Sequence, residues 1–357
     1  MYFFKLYHVR NINIAHKKKT SMLLGRAPLR ISFSGGGTDL EEYHSRFDGY
    51  AISHTINKYT FVIAKLRRDN KLQGFSPDFS SYLPPKKHRN IKPLQGQEII
   101  LAGLKELKFS RGVDVYLSTD VEPNSGLGAS SALTTNFVNV ITHLDRKKWN
   151  KNKIAMKAYK IGHDILKWGI GKQDEFASAY GGFNIFKFTK DKVTVNPILL
   201  SRSTQTELEN NSLLFHLGNR KHSAGILNAQ IRAINKSDTS TLEALHNAKD
   251  LALKMRDVLR HNDLVSFYEI INEGWKVKKR FARGVSNTNI DNISKLAFSN
   301  GAKAVKVTGA GGGGHMYVYA EPKKHNSVKM ALKKIGVSNV DFKFQKSGAA
   351  IFDVNNL

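Results

Sequence analysis

The sequence contains no cysteine. This absence excludes disulfide bonds, thiolate nucleophiles and zinc sites that use cysteine ligands. Long apolar runs are also missing, because no stretch approaches the roughly 18 residues that a membrane-spanning helix requires. We therefore expect a cytoplasmic protein that has no membrane partner.

Acidic residues are scarce beside basic ones. Lysine and arginine number 56 against 29 aspartates and glutamates, which gives a formal net charge of +27. Such an excess can indicate nucleic-acid binding, but the basic residues lie in short groups along the chain and no RNA-binding aromatic motif lies among them. Anionic substrates or a general basic bias explain the charge at least as well, so we do not expect nucleic acid as the main ligand.

The length of 357 residues suggests two domains. Residues 1–21 show no clear pattern and are interpreted as an unstructured or mis-started extension. A polar stretch near residues 200–211 predicts the boundary between a first domain, 22–205, and a second domain, 206–357. A homodimer stays open.

A first glycine-rich stretch follows a predicted strand over residues 23–34. Its glycines, Gly35, Gly36 and Gly37, forbid a regular strand and let the backbone approach a ligand. Thr38 or Asp39 comes next and would cap the short helix that follows. Asp39 is therefore either a plain helix cap or a ligand-binding carboxylate.

A second stretch, Pro123 to Ser131, lies between a predicted strand and a predicted helix. The start of a helix offers unpaired N–H groups and a positive dipole end, so the loop predicts an anion site, most simply for phosphate. No Gly-Lys-Ser/Thr follows, which excludes a Walker A loop, and Ser131 occupies the third glycine position of the Rossmann pattern. A helix start that is merely capped by serine is the alternative.

Two further glycine-rich stretches complete the pattern. Lys172 and Asp174 lie in a turn bracketed by glycines, where a basic and an acidic group suit chemistry on a substrate hydroxyl, although a charged surface turn is the alternative. Residues 309–314 match G-x-G-x-x-G only formally, because a strand and not a helix follows. Such a loop can lie against a phosphate or against another loop.

In combination, these stretches resemble the galacto-, homoserine, mevalonate and phosphomevalonate (GHMP) kinases. The three motifs of that superfamily look like Arg26 to Asp39, Pro123 to Ala132, and Lys306 to Gly314, and the resemblance spans residues 22–352. It implies an α+β fold, with a ribosomal-S5-like N-terminal domain, a ferredoxin-like C-terminal domain and the site between them. The residues of the motifs are most similar to those of the D-glycero-D-manno-heptose 7-phosphate kinases.

The resemblance implies an ATP-dependent sugar kinase that uses Mg²⁺ and phosphorylates an anomeric hydroxyl to give a 1,7-bisphosphate. Asp174 would face the sugar hydroxyl, Arg30 would stabilise that carboxylate and the transferring phosphoryl group, and Lys172 would add positive charge. The nucleotide would contact Pro123, Ser125, Gly126, Leu127, Gly128, Ala129, Ser130 and Ser131. The sugar would contact Gly36, Gly37, Thr38, Asp39, Gly181, Gly311 and Gly312.

The metal site departs from the superfamily pattern. Where many members carry a Mg²⁺-binding glutamate, this chain has Gly162. Asp164 is near but lies two residues further along a helix, a rotation of about 200°. Either the helix is shifted and Asp164 acts with Ser131, or Ser131, ATP and water hold the metal, or catalysis is weakened. Glu175 also stands where glutamine is commoner in the subgroup.

Three other functions stay open. The acceptor could be fucose or another hexose, or a small alcohol. The protein could also be a catalytically silent sugar- or ATP-binding regulator, which Gly162 favours and the presence of Arg30, Asp39 and Asp174 disfavours. An RNA-binding protein of S5-like fold is the third. A basic group, Arg220, Lys221 and His222, is either a phosphate clamp or a solvated surface.

Overall fold

The computed structural model of the chain describes residues 22–87, 95–218 and 223–354. The predicted extension over residues 1–21 lies outside the described residues. The basic group Arg220, Lys221 and His222 also lies outside them, so its predicted clamp role stays a prediction.

The strands, numbered in chain order, are β1 (Met22–Ser34), β2 (Gly49–Leu66), β3 (Lys71–Ser76), β4 (Ser81–Lys87), β5 (Val113–Thr119), β6 (Phe183–Phe188), β7 (Val193–Pro197), β8 (Ser212–His216), β9 (Ala302–Val307), β10 (His315–Ala320), β11 (Ser338–Asn339) and β12 (Ala350–Asp353).

The α-helices, numbered in the same way, are α1 (Glu41–Phe47), α2 (Glu98–Glu106), α3 (Ala129–Leu144), α4 (Lys151–Lys160), α5 (Gln173–Tyr180), α6 (Arg202–Asn210), α7 (Ser223–Asn235), α8 (Thr239–Arg260), α9 (Leu264–Lys278), α10 (Thr288–Ser299) and α11 (His325–Lys333). A π-helical turn, Ile161–Ile165, continues α4.

Within the described residues, a mixed sheet has the strand order β12-β1-β2-β5-β3-β4, with β6 paired to β2 and β7 paired to β6. Strand β2 is long enough to pair with β1 along one edge and with β6 and then β5 along the other. The sequence pattern predicts two separate strands over this range. One continuous strand forms instead, and a register shift opposite Pro28 and Leu29 marks the predicted junction.

The second sheet is antiparallel and has the order β11-β8-β10-β9 in the described part of the chain. The last strand, β12, returns to the first sheet and pairs with the start of β1. The predicted domain boundary between residues 205 and 206 stays a prediction. Strand β12 comes after this boundary in the chain, but its partner strand lies in the first sheet.

The two halves share a hydrophobic core around β1. Phe33, on β1, is fully buried, and its ring meets those of Phe267 from α9 and Tyr317 from β10 edge-on, with centroids 5.3 and 5.2 Å away. Edge-to-face aromatic contacts add to the free energy gained by burying the rings. This packing fixes the end of β1, and with it the first glycine-rich turn, against both sheets.

Candidate active site

A bidentate ion pair between Arg30 and Asp174 forms the centre of the site. The Nε and Nη2 atoms of Arg30 donate to the two oxygens of Asp174 over 2.7 and 2.6 Å, and its Nη1 donates to the Gly126 carbonyl over 2.8 Å. Only 6% of the Arg30 side chain and 21% of the Asp174 side chain is exposed. Charge-assisted pairs of this geometry hold a carboxylate in a defined orientation.

The second glycine-rich loop lies directly against this pair. A Cβ added at Gly128 would lie 3.0 Å from the Asp174 Oδ2 atom. Gly128 is also the N-cap of α3, at φ 79°, and no side chain caps that helix start. The start of α3 and Asp174 therefore line the same cavity, and the unpaired N–H groups of a helix start suit an anion such as a phosphate.

Asp39 joins the first glycine-rich turn to α5. Its Oδ1 accepts the Gly37 N–H over 2.8 Å, and its Oδ2 accepts the Gln173 N–H over 3.2 Å. A Cβ at Gly171 would lie 2.1 Å from that Oδ2, so this approach requires glycine. Asp39 does not cap α1, whose N-cap is Leu40 without a side-chain bond, so the plain helix-cap interpretation is wrong.

The third glycine-rich loop packs against the second. A Cβ at Gly309 would lie 2.7 Å from the Gly126 Cα, so the two loops touch backbone to backbone. At the start of β10, the His315 Nδ1 atom lies 2.8 Å from the Ser125 carbonyl oxygen, which can only accept a hydrogen bond. The nucleotide loop predicted from the sequence is thus held by residues from the second sheet.

These elements surround one cavity. Predicted site residues that line it are Arg30, Gly36, Gly37, Asp39, Ser125, Gly126, Gly128, Ala129, Ser130, Ser131 and Asp174. The cavity is also lined by residues from the second half of the chain that the sequence did not predict, among them Leu227, Gln230, Lys278 and Phe281. Lys278 falls in a basic group of the sequence, but no local pattern shows which lysine of a group will face a cavity.

Comparisons with known proteins show the family to which the chain belongs. The sequence models of the GHMP kinase N-terminal and C-terminal domains match residues 97–182 and 255–337. A D-glycero-alpha-D-manno-heptose 7-phosphate kinase of Campylobacter jejuni is 31% identical over 334 residues, which cover 90% of this chain and 96% of that protein. The chain belongs to the GHMP kinase family.

Two more distant proteins extend the comparison. An L-fucokinase/L-fucose-1-P guanylyltransferase of Bacteroides fragilis is 23% identical over 88% of the chain, which spans 36% of that longer protein. The crystal structure of a D-glycero-D-manno-heptose 1-phosphate kinase from Bacteroides thetaiotaomicron superposes with a TM-score of 0.76 at 24% identity and covers 93% of this chain and 99% of that one. The latter shows a shared fold.

The family assignment confirms the predicted α+β GHMP kinase fold. It also makes this GHMP kinase an ATP-dependent phosphotransferase that acts on an alcohol group. None of the helices in the described residues is both long and apolar enough to span a bilayer.

Lys172 does not line the cavity of this GHMP kinase. Its ammonium lies 3.5 Å from a Glu41 oxygen and 5.0 Å from the centre of the Tyr159 ring, and its side chain is 7% exposed. The adjacent Asp174 faces the cavity, whereas Lys172 faces α1 and α4. The cation that lines the cavity from the second half of the chain is Lys278, whose Nζ donates to the Gly309 carbonyl.

Asp164 does not line the cavity either. It lies in the π-helical turn, its side chain is 52% exposed, and its Oδ1 is 2.8 Å from the His163 Nδ1 atom. The helix is therefore locally altered, as one alternative supposed, but the alteration leaves Asp164 at the surface. A Cβ at Gly162 would instead meet the side chains of Ile170 and Trp168. The predicted metal role of Asp164 has no geometric support.

Six more predicted contacts do not line the cavity: Thr38, Pro123, Leu127, Gly181, Gly311 and Gly312. Thr38 accepts the Tyr50 N–H through its hydroxyl over 3.0 Å and so holds the first turn to β2. Leu127 is fully buried, and its carbonyl accepts the Arg30 N–H over 3.1 Å. Thr38 and Leu127 therefore support the glycine-rich turns through hydrogen bonds and do not line the cavity. Pro123 only precedes the second glycine-rich turn.

The three glycines in that group pack against other backbone. A Cβ at Gly181 would lie 2.1 Å from the Gly348 nitrogen, and one at Gly311 would lie 2.5 Å from the Val285 carbonyl oxygen. The Gly312 N–H donates to the same Val285 carbonyl over 2.8 Å. Their predicted substrate contacts stay predictions.

Two buried carboxyl groups flank Asp174. Burial raises the pKa of Asp39, and the negative charge of Asp174 adds to that effect. Burial likewise raises the pKa of Glu175 to about 8, again reinforced by Asp174. An uncharged Glu175 resembles glutamine, the commoner residue of the subgroup, and it keeps one negative charge away from the phosphate-binding turn.

Proposed function

We propose that this GHMP kinase transfers the γ-phosphoryl group of ATP to the anomeric hydroxyl of D-glycero-D-manno-heptose 7-phosphate, giving the 1,7-bisphosphate. The observation that carries the proposal is the Arg30–Asp174 pair, which lies against the Gly128 turn. The Campylobacter jejuni relative supports the choice of acceptor. The high basic charge of the chain suits a phosphorylated acceptor but does not single it out.

In this proposal, Asp174 takes the proton of the reacting hydroxyl. As that O–H bond breaks, the hydroxyl oxygen forms a bond to the γ-phosphorus, and the bond from that phosphorus to the β,γ-bridging oxygen breaks to release ADP. Arg30 holds the Asp174 carboxylate in a fixed orientation through its two hydrogen bonds. Phosphoryl transfer depends mainly on positioning and charge neutralisation, which this pair and the helix start supply.

The nucleotide phosphates fit the start of α3. Gly126 and Gly128 have φ angles of 82° and 79°, which favour glycine, and Ser130 is exposed to the cavity. No acidic residue lies in the first turn of α3, and the nearby Asp174 carboxylate is paired with Arg30. Lys278 adds a positive charge on the facing wall.

Mg²⁺ normally accompanies ATP in the family, and the side chains of the cavity can be compared with its preferred ligands. The described residues contain no group of three or more His, Asp or Glu side chains that could hold a metal ion. Ser131 lines the cavity with its hydroxyl-bearing side chain and is 4% exposed. Mg²⁺ commonly keeps waters and phosphate ligands, so Ser131 together with ATP and water is a sufficient set. Bound there, the ion would neutralise charge on the phosphates.

The decisive experiment measures ADP release with a panel of acceptors. We expect turnover with the heptose 7-phosphate, and a loss of at least about 10³-fold in kcat for Asp174→Asn, with ATP binding retained. Asp164→Asn is the matched control, because that carboxylate is exposed, and its Mg²⁺ dependence should equal that of the wild type. Full turnover by Asp174→Asn would remove Asp174 from the mechanism.

The same panel tests the other acceptors. Fucose is included because of the Bacteroides fragilis relative, and a hexose 6-phosphate and mevalonate represent the remaining alternatives. A higher kcat/KM with one of these would change the substrate while keeping the chemistry. Absence of ADP release with every acceptor, together with RNA retention at high salt, would contradict a kinase function.

A further inference from the structure

One part of the cavity lining has no role in the proposed phosphoryl transfer. It is formed by the second half of the chain, where Leu227 and Gln230 project from α7 and Phe281 follows α9. Two of these three side chains are apolar. Gln230 is therefore the polar group that an acceptor would meet on this part of the wall.

Gln230 is buried yet incompletely hydrogen-bonded. Its side chain is only 3% exposed, and its Nε2 atom has no hydrogen-bond partner in the described residues. A buried donor left without an acceptor costs about 1–3 kcal/mol, so such groups are uncommon in folded proteins. Because Gln230 also lines the cavity, an oxygen of a bound molecule can supply the missing acceptor.

The position of the Gln230 amide beside the first glycine-rich turn indicates which class of molecule could bind there. A Cβ at Gly37 would lie 2.8 Å from the Gln230 Nε2 atom and 2.9 Å from the Phe281 ring. The N–H of the same Gly37 donates to Asp39. The unpaired amide donor of Gln230 and the carboxylate of Asp39 thus both lie next to Gly37. A donor and an acceptor that lie this close together complement hydroxyl groups on neighbouring carbons of a ligand.

We propose that Gln230 determines acceptor specificity by donating a hydrogen bond to an acceptor oxygen other than the one phosphorylated. The proposal rests on the proposed function, because Asp174 then serves the reacting hydroxyl and Gln230 serves a second one. A site that hydrogen-bonds a substrate hydroxyl discriminates strongly against analogues lacking it, since the analogue leaves a buried group unpaired. The preferred acceptor is therefore polyhydroxylated, and a small alcohol with an apolar tail is disfavoured.

The experiment compares Gln230→Met with the wild type on monodeoxy analogues of the acceptor found in the panel. We expect the wild type to discriminate against one analogue by tenfold or more in kcat/KM, and Gln230→Met to lose that discrimination. The KM for the full acceptor should rise about tenfold to a hundredfold, whereas the KM for ATP should stay within about twofold. Methionine keeps the length of the side chain but has no amide.

Leu227→Met is the control, because Leu227 lines the same cavity from the same helix and has no polar atom. It should alter packing without changing the pattern across the analogues. Gln230→Asn, which withdraws the amide by one methylene, replaces Gln230→Met if the latter fails to fold. The proposal is overturned if the wild type and the Gln230 variant show the same relative kcat/KM values across the monodeoxy analogues. It is also overturned if the wild type accepts every monodeoxy analogue equally.

Failure here is separable from failure of the proposed function. If the wild type shows no turnover with any acceptor, the kinase proposal fails, and calorimetric binding of monodeoxy analogues of the heptose 7-phosphate still tests Gln230. If the wild type is active and only the discrimination is missing, Gln230 alone is excluded.

Discussion

Buried charges are concentrated around the cavity, and their signs decide what it can hold. Lys306, which is 4% exposed, donates to the Phe33 carbonyl over 2.7 Å. Burial lowers the pKa of Lys306 well below its usual value, and the positive charges of Lys278 and Arg30 lower it further. Arg30 and Lys278 line the cavity, where their charges favour an anionic ligand, whereas Lys306 does not line it.

Lys278→Met tests which lysine serves the phosphates. We expect it to lower kcat by about 10²-fold, because it removes a cation from the cavity wall where charge develops during transfer. Lys172→Met should act mainly on stability, because Lys172 pairs with Glu41 and Tyr159. Steady-state kinetics with ATP as the varied substrate separate the two. A larger loss of kcat for Lys172→Met than for Lys278→Met would reverse this assignment.

The sequence predicted the central residues of the site but not the direction of every side chain. Arg30, Asp39 and Asp174 meet as the resemblance to GHMP kinases implied, since each follows a motif with a fixed backbone path. Lys172 and Asp174 are only two residues apart in the chain, yet they face different sides of the start of α5. Local sequence does not encode that choice, because it depends on what α1 and α4 place nearby.

Among the structural elements, the contact between the second and third glycine loops has the greatest effect on the site. We expect Gly309→Ala to lower kcat/KM for ATP by tenfold or more, because its Cβ would lie 2.7 Å from the Gly126 Cα and displace the nucleotide loop. Displacements of about 1 Å at a reacting group can cost as much as 10²-fold in rate.

Gly336→Ala is the matched control for Gly309→Ala. Its φ of 79° is comparable with the 64° of Gly309, but a Cβ there would meet no atom within 4 Å. It should lose about 1 kcal/mol of stability from the strained backbone and keep its activity. Thermal unfolding and ATP kinetics on both variants check this, and equal kinetics in the two would contradict a role for the loop contact.

Helix starts show where local prediction succeeds and fails. The sequence predicts that Asp263 caps the helix that follows it, and in the structure its side chain accepts the Ser266 N–H at the start of α9. The capping box expected at Ser240 and Glu243 is wrong, because Asp238 caps α8 by accepting the Thr241 N–H. Several hydroxyl and acidic residues lie together there, so pattern alone does not choose among them.

At the scale of the whole molecule, His54 lies where the C-terminal segment packs on the first sheet. Its ring stacks on those of Phe183 and Phe344, with centroids 5.0 and 4.3 Å away. Burial lowers the pKa of His54 from 6.5 to about 4. The unfolded chain therefore binds more protons below pH 6.5, and the free energy of unfolding falls as the pH falls.

His54→Phe should reduce this acid sensitivity. In the wild type, we expect His54 to account for a fall of about 2 kcal/mol in the free energy of unfolding between pH 7 and pH 5. The variant should lack this part of the fall, while its phenylalanine keeps an aromatic ring in place. Urea unfolding at both pH values measures the difference. His261→Phe, at an exposed position, should leave the dependence on pH as in the wild type, and an unchanged dependence in His54→Phe would exclude the buried-histidine explanation.

The order of strands and helices along the chain was largely predictable, because apolar periodicity and glycine turns mark each element locally. The pairing of β12 with β1 was not, since no local signal links Ala350 to Arg26. Likewise, the wall formed by Gln230 and Lys278 depends on how the second half of the chain packs, which periodicity does not specify.

The hydrogen bond from Lys306 to Phe33 joins positions 273 residues apart, and the strand that closes the first sheet ends at Asp353. During translation, therefore, the ribosome must deliver nearly the whole polypeptide before the phosphate-binding loop gains its opposing wall. Nascent chains and proteolytic fragments that stop short of Gly309 would carry the Arg30–Asp174 couple without a closed pocket. The cavity lining is therefore complete only in a chain that extends past Gly309 and Ala310.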